Sequence, residues 1–318
     1  MSGLVLVTLE QGLIFGILAM GVYITYKILD FPDLSVEGSF PLGAFVFAKF
    51  SLMGVNPLIS TLMGFVAGGL VGLFTYTLNI KLKIKPILAG ILSMTFMYSV
   101  VLRVNDTSNV SIINNPKIYD ALGNLGTLLI IVIIAKLLLD IFLKTELGYL
   151  LIATGDNESF VKSLGQNEEK IKLIGLSLSN ALVGLSGALM GQSLGFADIS
   201  MKNGIIVIAL ASIIIGDAIL PKSTKLKNTT RAVMGAIIYK TIGSIAIRLG
   251  LKPNDLQAIS ATIVILFLAQ ANLGWGNIFS PKKNKKEIED KGPKNIKEEN
   301  SEKASKPINK IVRGGADA

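Results

Sequence analysis

"FPDLSVEGSF", residues 31–40, lies between two apolar runs, Leu13–Leu29 and Leu34–Phe50, and puts two carboxylates, Asp33 and Glu37, where charge is costly. The stretch recurs. Phe31-Pro-Asp33-Leu-Ser35-Val lines up with Phe196-Ala-Asp198-Ile-Ser200-Met, 165 residues later. A second pair keeps nearly the same offset, 167: Ile84-Lys85-Pro86 with Ser93 and Thr95, against Leu251-Lys252-Pro253 with Ser260 and Thr262. The chain therefore reads as two related halves, and the quoted stretch as one of two equivalent turns, each opening a helix with Ser35 or Ser200 as the candidate N-cap.

The surrounding composition sets the class. The chain has 318 residues, 51% of them hydrophobic, and up to Leu273 the apolar residues form long blocks with charges between them. That pattern predicts an all-α, polytopic membrane helix bundle. Nine runs can be read: Leu13–Leu29, Leu34–Phe50, Pro57–Ile80, Ile87–Leu102, Leu122–Leu143, Ile171–Leu194, Gly204–Leu220, Ala232–Leu249 and Leu256–Leu273. The second and seventh are short and Gly-bearing, so they are candidates for broken or re-entrant segments. The first has no basic residue ahead of it, unlike a cleaved signal peptide, and is read as a retained span.

The basic residues test the alternation. Lys27, Lys81, Lys83, Lys85, Lys144, Lys162, Lys170, Lys172, Lys222, Lys225, Lys227 and Arg231 fall on one face of a nine-span topology, whereas the other face holds few. Positive charge marks the cytoplasmic side, which puts the N-terminus outside and the C-terminus in the cytoplasm. The net charge of +9 thus reports topology and not nucleic acid. With this alternation the two turns lie on opposite faces of the bilayer. The result is an inverted-topology repeat, spans one to four (about residues 13–104) against spans six to nine (about residues 174–273). Such repeats carry substrate near their interface. The central span and its loop, 121–172, stand outside the repeat and complete a membrane domain over residues 1–280. From Pro281 the chain is Lys- and Glu-rich and reads as a disordered cytoplasmic tail over 281–318, solvated or touching anionic membrane lipid.

Chemistry is bounded by absence. There is no His and no Cys, so His general bases, Cys nucleophiles and the usual zinc sites are excluded. No phosphate-cradling G-x-x-x-x-G-K-[ST] loop occurs; ATP hydrolysis, if used, belongs to another chain. Lys240, near the middle of the eighth run, costs about 2.5–3.5 kcal/mol on insertion scales. It faces the transport pathway, where it could meet a substrate carboxylate, or pairs with Asp33, Glu37 or Asp217, or snorkels toward the interface. Lys136 and Asp140, four apart, read as a structural pair. Ser93, Thr95, Asn180 and Gln192 are candidates for the pathway or for hydrogen bonds between helices. Asp33, Glu37 and Asp198 are gate candidates or plain helix entrances.

The long loop Lys144–Lys172 predicts a short cytoplasmic helix, capped by Asp156 or Asn157, with Glu158 near its positive end and Gly165 closing it. Phe160, Val161 and Leu164 fall on one face and need a partner. Outside, the polar loop Asn105–Asp120 is a candidate landing site for a binding protein.

"ELGYLLIATGDNESFVKSLG" (146–165), followed by "LSLSNALVGLSGALMGQSLGFADISMKNGIIVIALASIIIG" (176–216), resembles the permease subunit of bacterial ABC importers, the family of branched-chain amino acid and ribose permeases. "ILDFPDLSVEGSFPLGA" (28–44) looks most similar to its tryptophan or tyrosine branch. The resemblance implies a coupling helix over about Ala153 to Gly165, with Gly148, Gly155, Asp156 and Gly165 matching the motif. It implies a cytoplasmic ABC ATPase holding ATP and Mg, an extracellular substrate-binding lipoprotein and a second permease copy. It also implies no cofactor on this chain and a small cargo, an aromatic or other small amino acid. An ion-coupled secondary transporter remains a second reading of the repeat, and an intramembrane enzyme a third.

Overall fold

The computed structural model describes residues 2–120, 122–220 and 227–250, with isolated positions between 258 and 269. The ninth run, the Lys252-Pro253 landmark with Ser260, Lys222, Lys225 and the tail from Pro281 lie outside the described residues.

Each of the first eight apolar runs forms a helix. They are α1 (Ser2–Tyr23), α2 (Val36–Leu52), α3 (Pro57–Tyr76), α4 (Pro86–Asn105), α5 (Asn124–Phe142), α8 (Glu168–Leu194), α9 (Ile205–Ile219) and α10 (Asn228–Arg248). Two shorter helices, α6 (Glu146–Asp156) and α7 (Glu158–Ser163), fill the long loop. Pro57 and Pro86 open α3 and α4 at positions where a missing N–H costs nothing. Among the described residues, six segments are long and apolar enough to cross a membrane: Gly3–Ile28, Pro57–Lys81, Pro86–Asn105, Asn124–Phe142, Glu168–Leu194 and Ile199–Ile219. α2 and α10 are not among them. The 17 residues of α2 rise only about 25 Å, short of the hydrocarbon thickness of about 30 Å.

The first helix starts at Ser2, well before the expected Leu13. Thr8, Glu10 and Gln11 break the apolar run, but the fold satisfies two of them. The Thr8 hydroxyl donates to the Leu4 carbonyl at 2.7 Å and lies 2.5 Å from the Ser244 hydroxyl on α10, and Glu10 is buried with Asn124 Nδ2 3.4 Å away. Polar groups that a hydropathy count treats as an end are here contacts between helices.

The core is built by exchange between the halves. α1 lies along α10, and α3 lies along α8. Both crossings are backbone-close because small residues line them. A methyl on Gly68 or Gly72 of α3 would strike the Asn180 or Leu176 carbonyl of α8; one on Gly12 or Gly16 of α1 would press Ile237 or Val233 of α10. In a lipid solvent this close packing, and not water exclusion, holds helices together. α2 is enclosed, with Phe40, Phe45 and Phe47 fully buried between α3, α4 and α8.

One element is not legible as all-α. Strands β1 (Asn109–Ser111) and β2 (Phe196–Asp198) pair antiparallel, Val110 opposite Ala197. Three-residue strands are too short to show alternation in sequence. The ribbon stitches the loop Asn105–Asp120 to the second copy of the repeated turn.

Candidate functional site

Both copies of the turn adopt the same local geometry. In the first, the Ser35 N–H and hydroxyl donate to Asp33 Oδ1 at 2.9 and 2.5 Å. In the second, the Ser200 N–H donates to Asp198 Oδ1 at 2.7 Å and its hydroxyl bonds the same oxygen. The expected serines do not cap: Ser35 precedes α2 without a side-chain cap bond, its own N–H held by Asp33, while Asp198 caps the 3-10 turn Ile199–Lys202 that contains Ser200. An Asp two residues ahead reaches the N–H more directly and withdraws the serine hydroxyl as a donor.

Their surroundings differ. Asp33 is 3% exposed, so the expectation of a helix entrance at an open mouth is not met. Asn180 Nδ2 donates to Asp33 Oδ2 at 2.8 Å, and its Oδ1 accepts from Ser39 at 2.5 Å, with the Ser35 hydroxyl 3.2 Å away. Asn180 is the thirteenth of the 27 residues of α8, so α2 begins at mid-height of that helix. Asp198, on β2, instead binds the Asn109 side chain at 2.7 Å in an exposed setting. Burial would raise its pKa, but the bonds from Ser200 and Asn109 outweigh it and hold the carboxyl below its ordinary range.

α2 packs against the 3-10 turn Ile199–Lys202 and against the α9 that follows it. Gly204, at φ +74°, supplies the left-handed residue that turns the chain into α9 without a side-chain cap. Lys202 Nζ stands 4.4 Å from the centre of the Tyr98 ring on α4. α2, the turn before α9 and α4 thus come together, with Lys202 resting on Tyr98. Glu37 and Lys202 occupy equivalent positions in the two copies, one residue on from Val36 and Met201.

Lys240 does not join Asp33 or Glu37. Its ammonium lies over the Phe15 ring, 4.1 Å from the centre, and Phe15 stacks on Phe40. Among the described residues no carboxylate pairs with it. Asp217, another expected partner, pairs instead with Lys27 and Arg231, both at 3.3 Å. A cation over an aromatic face is stabilised without a counter-charge.

Of the other candidates, Ser93 is buried and accepts from Thr75 at 2.8 Å, while Thr95 is exposed and bonds its own helix at Ile91. Gln192 Nε2 donates to Thr61 at 2.9 Å, and its Oε1 accepts from the Ile118 N–H at 3.0 Å, anchoring the outer loop to the bundle. Asn180 and Gln192 both hold helices and loops together. The Lys136–Asp140 pair is wider than one helix: Asp140 also binds Lys227 at 2.8 Å and Thr229 at 2.6 Å. Sequence reasoning passed over Ser39 and Tyr98. Ser39 stands one turn after Ser35, a signal that could have found it; Tyr98 carried none.

The cytoplasmic loop holds two helices where one was expected. Thr145 caps α6 through Gly148 N at 3.2 Å, and Asn157, not Asp156, caps α7 through Phe160 N at 3.1 Å. Gly148 and Gly155 sit backbone to backbone against Phe142–Leu143 and Ile28, and Ala153 packs on the core. Gly165, at φ +74°, closes α7. The expected apolar face splits: Val161 is fully buried, whereas Phe160 and Leu164, one turn apart, are 52% and 54% exposed. At helical spacing i and i+1 stand about 100° apart, so only one of the two neighbours can face the core. Lys172 binds Glu158 at 2.7 Å, and Lys162 binds Glu168 at 2.8 Å and Glu158 at 3.6 Å. Glu168 first, with Glu158, holds the Lys162 ammonium above the ordinary lysine range. α7 is thereby fastened to the start of α8 with its apolar pair outward.

Known proteins bear on this arrangement. Residues 4–269 match the family described as branched-chain amino acid transport system, permease component. The chain is 45% identical over 287 residues to the tyrosine transport system permease protein of Clostridioides difficile, covering 90% of this chain and 96% of that one. It is 23% identical over 267 residues to the ribose import permease protein RbsC of Escherichia coli K12, covering 81% and 82%. A solved structure titled as an inward-facing conformation of a metal-chelate type ABC transporter aligns over 85% of each chain, with a TM-score of 0.45 and 16% identity. A helical bundle with several membrane-crossing segments and a match along nearly its whole length have one meaning: this chain belongs to the branched-chain amino acid transport permease family and is a non-catalytic, multi-pass permease subunit of an ABC transporter.

Proposed function

We propose that the chain imports a small amino acid, an aromatic one in preference, by alternating access powered by a separate cytoplasmic ATPase. The observation that carries this is α7. A helix of 6 residues, capped by Asn157 and clamped by Lys162, Lys172, Glu158 and Glu168, leaves Phe160 and Leu164 about half exposed among the described residues. A rigid apolar knob on a charged loop is suited to transmitting a push from a docked partner. Asp156 and Gly155 lie just ahead of it.

In this reading α7 is the coupling helix, and ATP and Mg sit on the partner. The loop Asn105–Asp120 receives a substrate-binding lipoprotein, and two permease copies form the transporter within the lipid. The halves are an inverted repeat of nine apolar segments, α2 being too short to cross as a straight helix, with the N-terminus outside. Support comes from the matching turns at Asp33 and Asp198 and from the exchange of α1 with α10 and α3 with α8. The aromatic preference is supported by the likeness to the Clostridioides difficile tyrosine permease.

The test is uptake of labelled tyrosine into proteoliposomes holding the permease with or without its ATPase and binding protein. Uptake that needs ATP and both partners supports the proposal. Uptake without an ATPase that follows an ion gradient overturns it in favour of a secondary transporter.

A further inference from the structure

The corner between α5 and α6 closes a cavity of about 460 Å³ with the end of α1 and the start of α10. Lys27, Lys144 and Lys227 line it, with Asp140 and Asp156. The carboxylates are largely spent. Asp140 is shared between Lys136 at 2.7 Å and Lys227 at 2.8 Å, and it also takes the Thr229 hydroxyl. Asp217, the partner of Lys27 at 3.3 Å, is shared with Arg231. Lys144 and Asp156 are exposed and join no ion pair among the described residues. With these ion-pair partners included, five cations gather around three carboxylates. α10 also begins here, and no side chain caps its first turn, which adds to the positive field. The depth of the cavity matters as much as its charge. The membrane-crossing segments Gly3–Ile28 and Asn124–Phe142 both end at its wall. Lys27 lies in the last turn of one and Lys144 two residues beyond the other. Ile28 and Leu143 line the cavity beside them. A basic, partly apolar pocket level with the ends of two spans lies where lipid phosphates lie.

We infer that this cavity binds the phosphate of an anionic membrane lipid. Lys144, which has no carboxylate to give up, supplies the first contact. Lys27 and Lys227 add their charge from α1 and α10 without leaving Asp217 and Asp140, since each ammonium has three donors. The glycerol end of the lipid meets the apolar surface at Ile28 and Leu143. A zwitterionic headgroup brings its own cation and leaves the positive surplus unmet. A lipid held here fastens the corner that leads through α6 to α7 onto α1 and α10. The placing of this face in the cytoplasm rests on the topology proposed above; the binding itself does not.

The full-length permease is placed in phosphatidylcholine nanodiscs with a rising fraction of phosphatidylglycerol, and thermal unfolding is followed. The midpoint should rise and then saturate. Lys144→Gln removes one cation without breaking an ion pair. It should need about fivefold more phosphatidylglycerol for the same rise, the share of one lysine near an anionic surface. Lys85→Gln makes the same charge change at an exposed lysine outside the cavity and should titrate as wild type. Glycerol 1-phosphate added to phosphatidylcholine discs offers the phosphate without the membrane anchor and should not raise the midpoint. Each variant is read against its own midpoint in phosphatidylcholine, so a change in basal stability does not enter. A flat response to phosphatidylglycerol, an unchanged titration in Lys144→Gln, an equal loss in Lys85→Gln, or a rise with glycerol 1-phosphate that matches the lipid's would each overturn the inference. ATP-dependent uptake is measured separately, so a flat response beside active uptake sinks this site and leaves the function standing.

Discussion

The turns Phe31–Ser35 and Phe196–Ser200 have the same bonds and opposite fates. In each, an Asp oxygen takes the N–H and hydroxyl of a Ser two residues on. One is sealed inside the bundle against Asn180, and the other sits at the surface against Asn109. Local sequence writes the turn; the helix that passes it decides whether the turn is a core bolt or a surface clasp. The halves can share a motif and still differ in stability and role, because the cost of an unpaired polar group depends on water.

The largest effect should come from the buried turn. Asp33→Ala strands the polar groups of Ser35 and Asn180 away from water and should destabilise by about 3 kcal/mol or more, read as a lowered unfolding midpoint in detergent or nanodiscs. A loss no greater than that of Asp198→Ala would break the comparison. Next, Gly68→Ala on α3 pushes a methyl into the Asn180 carbonyl, disturbing the same bolt from behind, and should cost about 1–3 kcal/mol. A neutral result there would show that α3 can move away from α8.

Phe160→Ala tests the other end of the molecule. The ring is exposed, so unfolding should hardly change, while ATPase docking measured by co-purification or biosensor should weaken about tenfold, or about 1.4 kcal/mol. Unchanged docking would remove α7 from the coupling role. Asp198→Ala should be mild, below about 1 kcal/mol, since water replaces its partners. Its pH behaviour follows from a carboxyl held below its ordinary value. The stability it adds is present above the unfolded value of about 3.9 and lost only as pH falls through the lower folded value. Between neutral pH and that range, stability plotted against pH should therefore run parallel for wild type and Asp198→Asn, the wild type losing its advantage and the two converging only in stronger acid.

Much of this was legible from residues alone. Eight apolar runs became eight helices, Pro57 and Pro86 marked two starts, and the repeated Phe-x-Asp-x-Ser pointed to equivalent turns. The ends were harder. Thr8 and Glu10 hid the first turns of α1, because their partners, Ser244 and Asn124, are far away in the chain. Lys240 was singled out as an odd charge, but its neighbour, Phe15, is apolar and gave no pairing signal. For α7, capping chemistry placed the helix within a residue, yet which of Phe160 and Val161 faces inward depends on where α8 lies.

The sequence by itself determined a helical membrane protein, two related turns and a capped loop helix with an apolar face, since composition, periodicity and capping act over a few residues. The tertiary structure alone decided that Asp33 is buried and Asp198 is not, that Lys240 leans on the Phe15 ring, and that Lys202 rests on Tyr98. Those facts depend on burial and on contacts between residues more than a hundred positions apart, and no local pattern encodes the distance between two helices.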